Sequence, residues 1–292
     1  VIKHGERGID IAVYLIATLV FIVTVYPILF VFFMSISTPK AVFFNEVLFL
    51  PDTIYLKSYG EVLKDAEIWG YYYNTVWIVV IGTLLNLVLT MSAAYVLSRK
   101  DFRFRNYIMA FVVFTMFFNG GMIPFFIQVR KLGLTNTRWS LVLPFALSAW
   151  NIIIARTYLQ SSIPESLHEA AIIDGATKLQ ILVRIIIPLA KPIMAVVALW
   201  CAVSFWNSYF WALVFLPDAS KQPIQIFLVK VLIEGRINEF DVLQGGGSVE
   251  GMGVAEQMKY VIIIVTILPI LFVYPFLQKY FIKGVMIGAL KS

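Results

Sequence analysis

Long uncharged blocks of apolar residues decide what this chain can fold into. Ile11 to Ser37, Tyr71 to Ser98, Asn106 to Val129 and Ile193 to Pro217 carry no charged side chain. Tyr260 to Gln278 is shorter but still spans, and Trp139 to Ala155 becomes long enough when the turn beyond Arg156 extends it to Ser162. A helix needs roughly 20 apolar residues to cross about 30 Å of hydrocarbon. The blocks do not alternate, as the strands of a membrane barrel would. With 60% hydrophobic and 14% charged residues, the chain has more apolar surface than one water-soluble core can bury. The expectation is an all-α, polytopic membrane protein. It has six transmembrane helices near residues 11–37, 71–98, 106–129, 139–162, 185–217 and 260–282, forming one transmembrane domain over 1–292.

The first block is too long for a signal-peptide core and lacks a small-residue cleavage site, so it reads as a retained helix. Arg99, Lys100, Arg103 and Arg105 cluster between the second and third spans, and basic loops stay in the cytoplasm. That places both termini and the segment 163–184 inside. Arg130, Lys131 and Arg138 fall in a short loop on the other side, against the rule. The net charge of +6 fits juxtamembrane basic residues, and no basic run resembles a nucleic-acid patch. Two outer segments are large. Residues 38–70 include a stretch, Ser58 to Ile68, that suits a surface helix. Residues 218–258 include Gly245, Gly246, Gly247, Gly251 and Gly253, which read as a mobile loop, either a plain linker or a docking surface. Pro27, Pro144, Pro269 and Pro275 lie within spans, and Asn119, Gly120, Gly121 and Pro124 interrupt the third. Irregular backbone at membrane depth survives only in contact with protein or a wet cavity.

The segment from Ile163 to Pro188 is the most informative. Pro164 suits a helix start, with Ser161 or Ser162 as cap. Glu165 and Glu169 stand near that start, where the helix dipole favours acids. Ala170 to Ile173 continue the helix, Gly175 permits a sharp turn, and Thr177 to Ile187 begin a second helix. The product is a helix–turn–helix elbow, which on physical grounds alone is either packing or a docking surface.

Glu169, Ala170 and Ala171, three residues, then Gly175, with Pro188 closing the segment, resemble the signature loop of binding-protein-dependent ABC importer permeases. Asp174 and Ala176 also fall on that pattern, while Leu182 stands where the family usually has an aromatic. The loop's position between spans four and five is similar to carbohydrate permeases of the maltose-importer class. The phrases FNGGMIP (118–124), NTRWSLVLP (136–144), SFWNSYFWALVFL (204–216) and KYFIKGVMIGALKS (279–292) resemble a subgroup for complex oligosaccharides. The resemblance implies a type I importer permease fold in the bacterial inner membrane. The loop would be a coupling helix seated in the ATPase subunit, with Glu169 as anchor, Gly175 as turn and Asp174 capping or orienting the second half. It also implies a second permease, two ATPase subunits that use ATP and Mg, and an extracytoplasmic solute-binding protein.

For the substrate path, Trp206, Asn207, Tyr209, Phe210 and Trp211 combine aromatic faces with an amide, which suits the apolar faces and hydroxyls of sugar rings. Packing or an interfacial belt is the alternative. Asn119 joins this set. Arg156 either lines the path, favouring an acidic oligosaccharide such as an alginate or pectin fragment, or snorkels to the cytoplasm. Lys191–Pro192 marks a kink or a helix start, and Gly284 with Gly288 makes a pairing face or local packing. His4 and His168 are far apart and lack cysteine partners, so no metal site is expected. The single Cys201 can form no internal disulfide. Neither a phosphate-binding loop nor a catalytic constellation is present, so the chain is not expected to be an enzyme. An ion-coupled secondary transporter would need acidic residues inside the spans, and the blocks have none. A permease for a non-sugar solute remains the nearer alternative.

Overall fold

A computed structural model describes residues 4–233 and 249–289, with side chains over 9–233 and 251–272. The glycine run 245–247 and the side chains of the C-terminal phrase, with the Gly284/Gly288 pair, lie outside them. Every regular element among the described residues is helical: α1 (His4–Ile36), α2 (Pro39–Phe43), α3 (Lys57–Lys64), α4 (Ala66–Ser98), α5 (Arg105–Phe117), α6 (Met122–Lys131), α7 (Trp139–Val142), α8 (Ala149–Ser162), α9 (Glu165–Ile173), α10 (Lys178–Ile181), α11 (Ile187–Leu189), α12 (Lys191–Trp206), α13 (Tyr209–Phe215), α14 (Ile224–Ile233) and α15 (Val249–Ala289).

Three unbroken helical stretches are long and apolar enough to cross a membrane: Ile9–Ile36 in α1, all of α4, and Gly251–Phe272 in α15. Three further candidates are bent pairs, giving six if each pair is one span: Arg105–Phe117 with Met122–Lys131 at 116°, Trp139–Phe145 with Ala149–Ser162 at 48°, and Lys178–Leu189 with Lys191–Trp206 at 81°. The third expected span is therefore two helices. At its break the side-chain carbonyl of Asn119 accepts the Gly121 N–H at 2.7 Å. The stretch 185–217, expected as one helix, is divided among α11, α12 and α13. Its first break falls at Ala190, between Pro188 and Pro192, neither of which has an N–H to give to the helical ladder. The second falls at Asn207, whose amide turns back to donate to the Val203 carbonyl at 2.9 Å. The expected surface helix at 58–68 is α3, at Lys57–Lys64.

The chain divides into two compact units, residues 1–68 with 228–268 and residues 69–227 with 269–292. In the first, buried Gln257 ties three segments together. Its carbonyl accepts the Ser58 hydroxyl at 2.7 Å and its amide donates to the Ser37 and Ser35 carbonyls at 2.6 and 3.3 Å. Such polar glue is expected where an unpaired amide would be costly. Met34, Ala41, Val42 and Val47 form a small core beside it.

The second unit holds the main core, in which Ile78, Met91 and Ala94 of α4 pack with Leu141, Ala155, Val197 and Phe215. Gly82 brings α4 against α12, since a Cβ there would lie 2.7 Å from the Phe205 ring. At the start of α4, buried Asn74 donates to the Ser220 and Gln222 carbonyls at 2.8 and 2.9 Å and accepts from Arg138 Nε at 2.7 Å.

Candidate functional site

The elbow is built within the second unit from local chemistry. Ile163 and Pro164 are extended and lead from α8 into α9, which has no side-chain cap at Pro164. The expected serine cap is therefore not used. At the end of α9, Ala176 N–H bonds the Ala171 carbonyl at 2.9 Å and Gly175 N–H bonds Ile172 at 3.0 Å. With Gly175 at φ +78°, this is a Schellman ending, and it gives the Glu-Ala-Ala-x₃-Gly spacing a physical basis. Ala171 is buried, where a larger side chain would have to displace the core. Gly175 takes a conformation that costs other residues about 1–2 kcal/mol.

Asp174 is the C-cap of α9 and does not cap the next helix. That role belongs to Thr177, which forms a reciprocal capping box with Gln180 at 3.3 and 2.8 Å. A π turn at Leu182–Ile186 then leads to α11 and the exposed Pro188.

The elbow has two faces. His168, Ala171 and Ile181 point into the unit. Glu169, Ala170, Ile172, Ile173, Asp174, Gly175 and Leu179 point away, with Ile173 85% exposed and Leu179 69%. An apolar ridge on an exposed turn, rimmed by two acids, has the make-up of an interaction surface.

The inward face rests on the C-terminal end of α4. The last carbonyls of that helix need donors. Arg156 Nε gives one to Leu97 O at 2.9 Å, Gln160 one to Ser98 O at 3.3 Å, and Arg105 one to Arg99 O at 3.2 Å. Arg99 forms an ion pair with Glu165 in the first turn of α9, and its Nε lies 3.6 Å from Asp101. The Tyr95 hydroxyl meets His168 Nδ1 at 3.4 Å. Burial and the nearby Arg99 guanidinium hold the His168 pKa below its usual 6.5. A cavity of about 940 Å³ opens beside these groups, lined by Tyr95, Ser98, Arg99, Ser162, Glu165 and His168 among others.

A second cleft, of about 560 Å³, lies among α4, α8, α12 and α13. Its walls are Trp150, Trp200, Phe205, Tyr209, Phe210 and Trp211, and its polar lining includes Asn86, Ser148, Asn151, Ser204 and Asn207. Asn151 donates to Asn86 Oδ1 and Cys201 Sγ, each at 3.3 Å, and Thr90 donates to Asn86 at 3.0 Å. Of the residues expected on the substrate path, Asn207, Tyr209 and Trp211 come together here. Trp206 does not, because it points into the core and is 8% exposed. Arg156 is occupied with the end of α4, and Asn119 with its own helix break. Sequence reasoning missed Asn86 and Asn151. The available signal was an amide in the middle of an otherwise apolar helix.

Bent spans joined by an exposed elbow are the parts expected of an importer permease of the ABC class, and comparison with known proteins places the chain in it. Residues 86–287 match the family described as binding-protein-dependent transport system inner membrane component, and the chain belongs to that family. It is 37% identical over 288 residues, 98% of this chain and 99% of the relative, to a polygalacturonan/rhamnogalacturonan transport system permease of Bacillus subtilis strain 168. It is 28% identical, over 92% of each chain, to an arabinooligosaccharides transport system permease of Halalkalibacterium halodurans. Among solved structures it matches a chain of a bacterial ABC transporter involved in the import of the acidic polysaccharide alginate. That match has a TM-score of 0.86 and 39% identity, over 96% of this chain and 99% of the other.

Proposed function

We propose that this permease forms one half of the translocation path for an oligosaccharide, of the acidic pectin or alginate type, in an ATP-driven importer. It pairs with a homologous second permease, takes sugar from an extracytoplasmic binding protein, and is driven by two separate ATPase subunits that hold ATP and Mg. Both termini and the elbow face the cytoplasm. The observation that carries this reading is the elbow, a turn whose Glu169 and Asp174 rim an exposed ridge of Ile172, Ile173 and Leu179. The substrate class is supported by full-length similarity to a polygalacturonan/rhamnogalacturonan permease and to a chain of an alginate importer.

In the working cycle, closure of the ATPase dimer displaces the elbow, and the helices joined to it open the path outward. Hydrolysis and product release return it inward. A ligand shifts such an equilibrium only by contacting its two states unequally, so the elbow must be gripped differently by the open and closed ATPase dimer. Sugar passes through the cleft lined by Asn207, Tyr209 and Trp211, where indole and phenol faces meet ring C–H groups and the amides meet hydroxyls.

Ile173→Asp and Glu169→Lys test the reading. The expected result is loss of ATPase-subunit co-purification and of oligogalacturonate uptake, with the permease pair still assembled. Native co-purification and uptake in both variants would remove the elbow from its assigned role.

A further inference from the structure

We propose that Arg99 and Glu165, supported by the contact of Tyr95 with His168, are positioning residues that transmit the elbow's movement to the sugar cleft. This rests on the coupling role given to the elbow above and names the route by which it acts. The first half of the elbow enters from α8 through extended Ile163 and Pro164, a two-residue break in the helix with no side-chain cap, so no continuous helix carries force across it. Its second half leaves through a π turn and an 81° bend. Neither connection is a stiff lever. The end of α4 is different. Its last carbonyls are held by Arg156 and Gln160 of α8 and by Arg105 of α5, which locks three helices into one block. Arg99 projects from that block to Glu165, and Tyr95, one turn back on α4, reaches His168.

The same two helices carry the polar floor of the cleft. Asn86 lies on α4, about 18 Å up the helix from Ser98 at α-helical rise, and its partner Asn151 lies on α8. A displacement of α9 that pulls on Arg99 therefore shifts α4 and α8 together, and with them Asn86 and Asn151. Without the ion pair the same displacement is absorbed at Pro164. Arg99 is 16% exposed and Glu165 36%, shielded enough for the pair to hold and open enough for it to be remade in each cycle.

The test uses the complete importer in proteoliposomes, with oligogalacturonate as the probe. Arg99→Glu and Glu165→Arg each put like charges face to face, and the double exchange restores opposite ones. Each single variant is expected to keep its ATPase subunits and basal hydrolysis while uptake per ATP falls about tenfold or more, and the double exchange to recover most of it. Cys201 is the only cysteine in the chain and is buried, so an introduced pair can be labelled selectively. Arg99→Cys with Glu165→Cys is expected to lose uptake and to regain it when bridged by a short bis-maleimide. Native uptake in the single variants overturns the proposal. So does a double exchange and a bridged pair that stay inactive, or loss of uptake only in step with loss of the ATPase subunits. If Ile173→Asp keeps its ATPase subunits and its uptake, the coupling role itself fails, and this proposal with it.

Discussion

Arginine holds both ends of α4, but the two attachments differ in kind. At the N-terminal end, Arg138 lies over the rings of Tyr73 and Trp77, at 5.0 and 5.9 Å, and donates to Asn74. Asn74 is 1% exposed and spends its own amide on two backbone carbonyls. Every partner is neutral or aromatic, and the distances are short. At the C-terminal end, Arg99 faces the Glu165 carboxylate at the edge of an open cavity. A buried network of neutral hydrogen bonds rigidifies, because any opening strands a polar group. An ion pair at the edge of an open cavity, with the Glu165 side chain about a third exposed, has water as an alternative partner and can be exchanged at smaller cost. The difference fits a helix that is fixed at one end and driven at the other.

Substitutions at the two ends should therefore separate stability from coupling. The largest loss of stability is expected for Asn74→Leu, which strands Arg138 Nε and two carbonyls at a cost of about 2–3 kcal/mol. Thermal unfolding of the purified permease pair should show it, while the surviving fraction keeps its normal ratio of uptake to ATP hydrolysis. A normal melting temperature would mean that the N-terminal attachment is not a lock. Gly175→Val comes next, since a β-branched residue at φ +78° opposes the Schellman turn by about 1–2 kcal/mol. It should weaken ATPase-subunit binding by about tenfold, with global melting almost unchanged. Loss of melting without loss of binding would make the turn merely structural.

Glu165→Gln is milder, because it keeps the shape and removes the charge, for about 0.5–1 kcal/mol at this exposure. Its effect on uptake should shrink as salt rises, whereas that of Asn74→Leu should not.

The smallest effect concerns pH. In the docked elbow, burial first and then the Arg99 and Lys178 charges hold the His168 pKa below 6.5, against the opposing pull of Asp101 and Glu165, while an undocked elbow would take up a proton near 6.5. Protonation therefore favours release, so docking is complete above that value and weakens as pH falls below it. The protection of α9 amides against hydrogen exchange, corrected for the intrinsic rate at each pH, should fall as pH drops below about 6.5, and His168→Gln should flatten the change. An equal change in both chains would exclude His168 as its source.

The parts of this architecture that were legible in the sequence are those whose causes lie close together along it. The elbow is specified within a few residues by Ala171, Gly175, Thr177 and Gln180, so its motif and its geometry coincide. The break at Asn119–Gly121 announces itself in the same way. Its 116° angle does not, because an angle depends on what the two halves pack against. The clasp was invisible for the converse reason. Arg99 and Glu165 are 66 residues apart, and Tyr95 and His168 are 73 apart. Read alone, Arg99 is a topology signal and Glu165 a helix-dipole residue. Arg156 shows the same limit, since a charge inside an apolar block reads equally as a pathway residue or a snorkelling cation, and its partner, the Leu97 carbonyl 59 residues away, is not legible in the sequence. Within the cleft, Asn207, Tyr209 and Trp211 share one short phrase and were found together, whereas Asn86 and Asn151 join only through the packing of α4 on α8.

Sugar movement through this permease is proposed to be driven by ATP through the elbow. The most direct test is uptake of labelled oligogalacturonate by proteoliposomes holding the complete importer and its binding protein, with and without enclosed ATP, and with ion gradients imposed or abolished. The account predicts uptake that requires ATP on the elbow side, ignores the ion gradients, and is lost in Ile173→Asp. Uptake that proceeds without ATP and follows an ion gradient would contradict it.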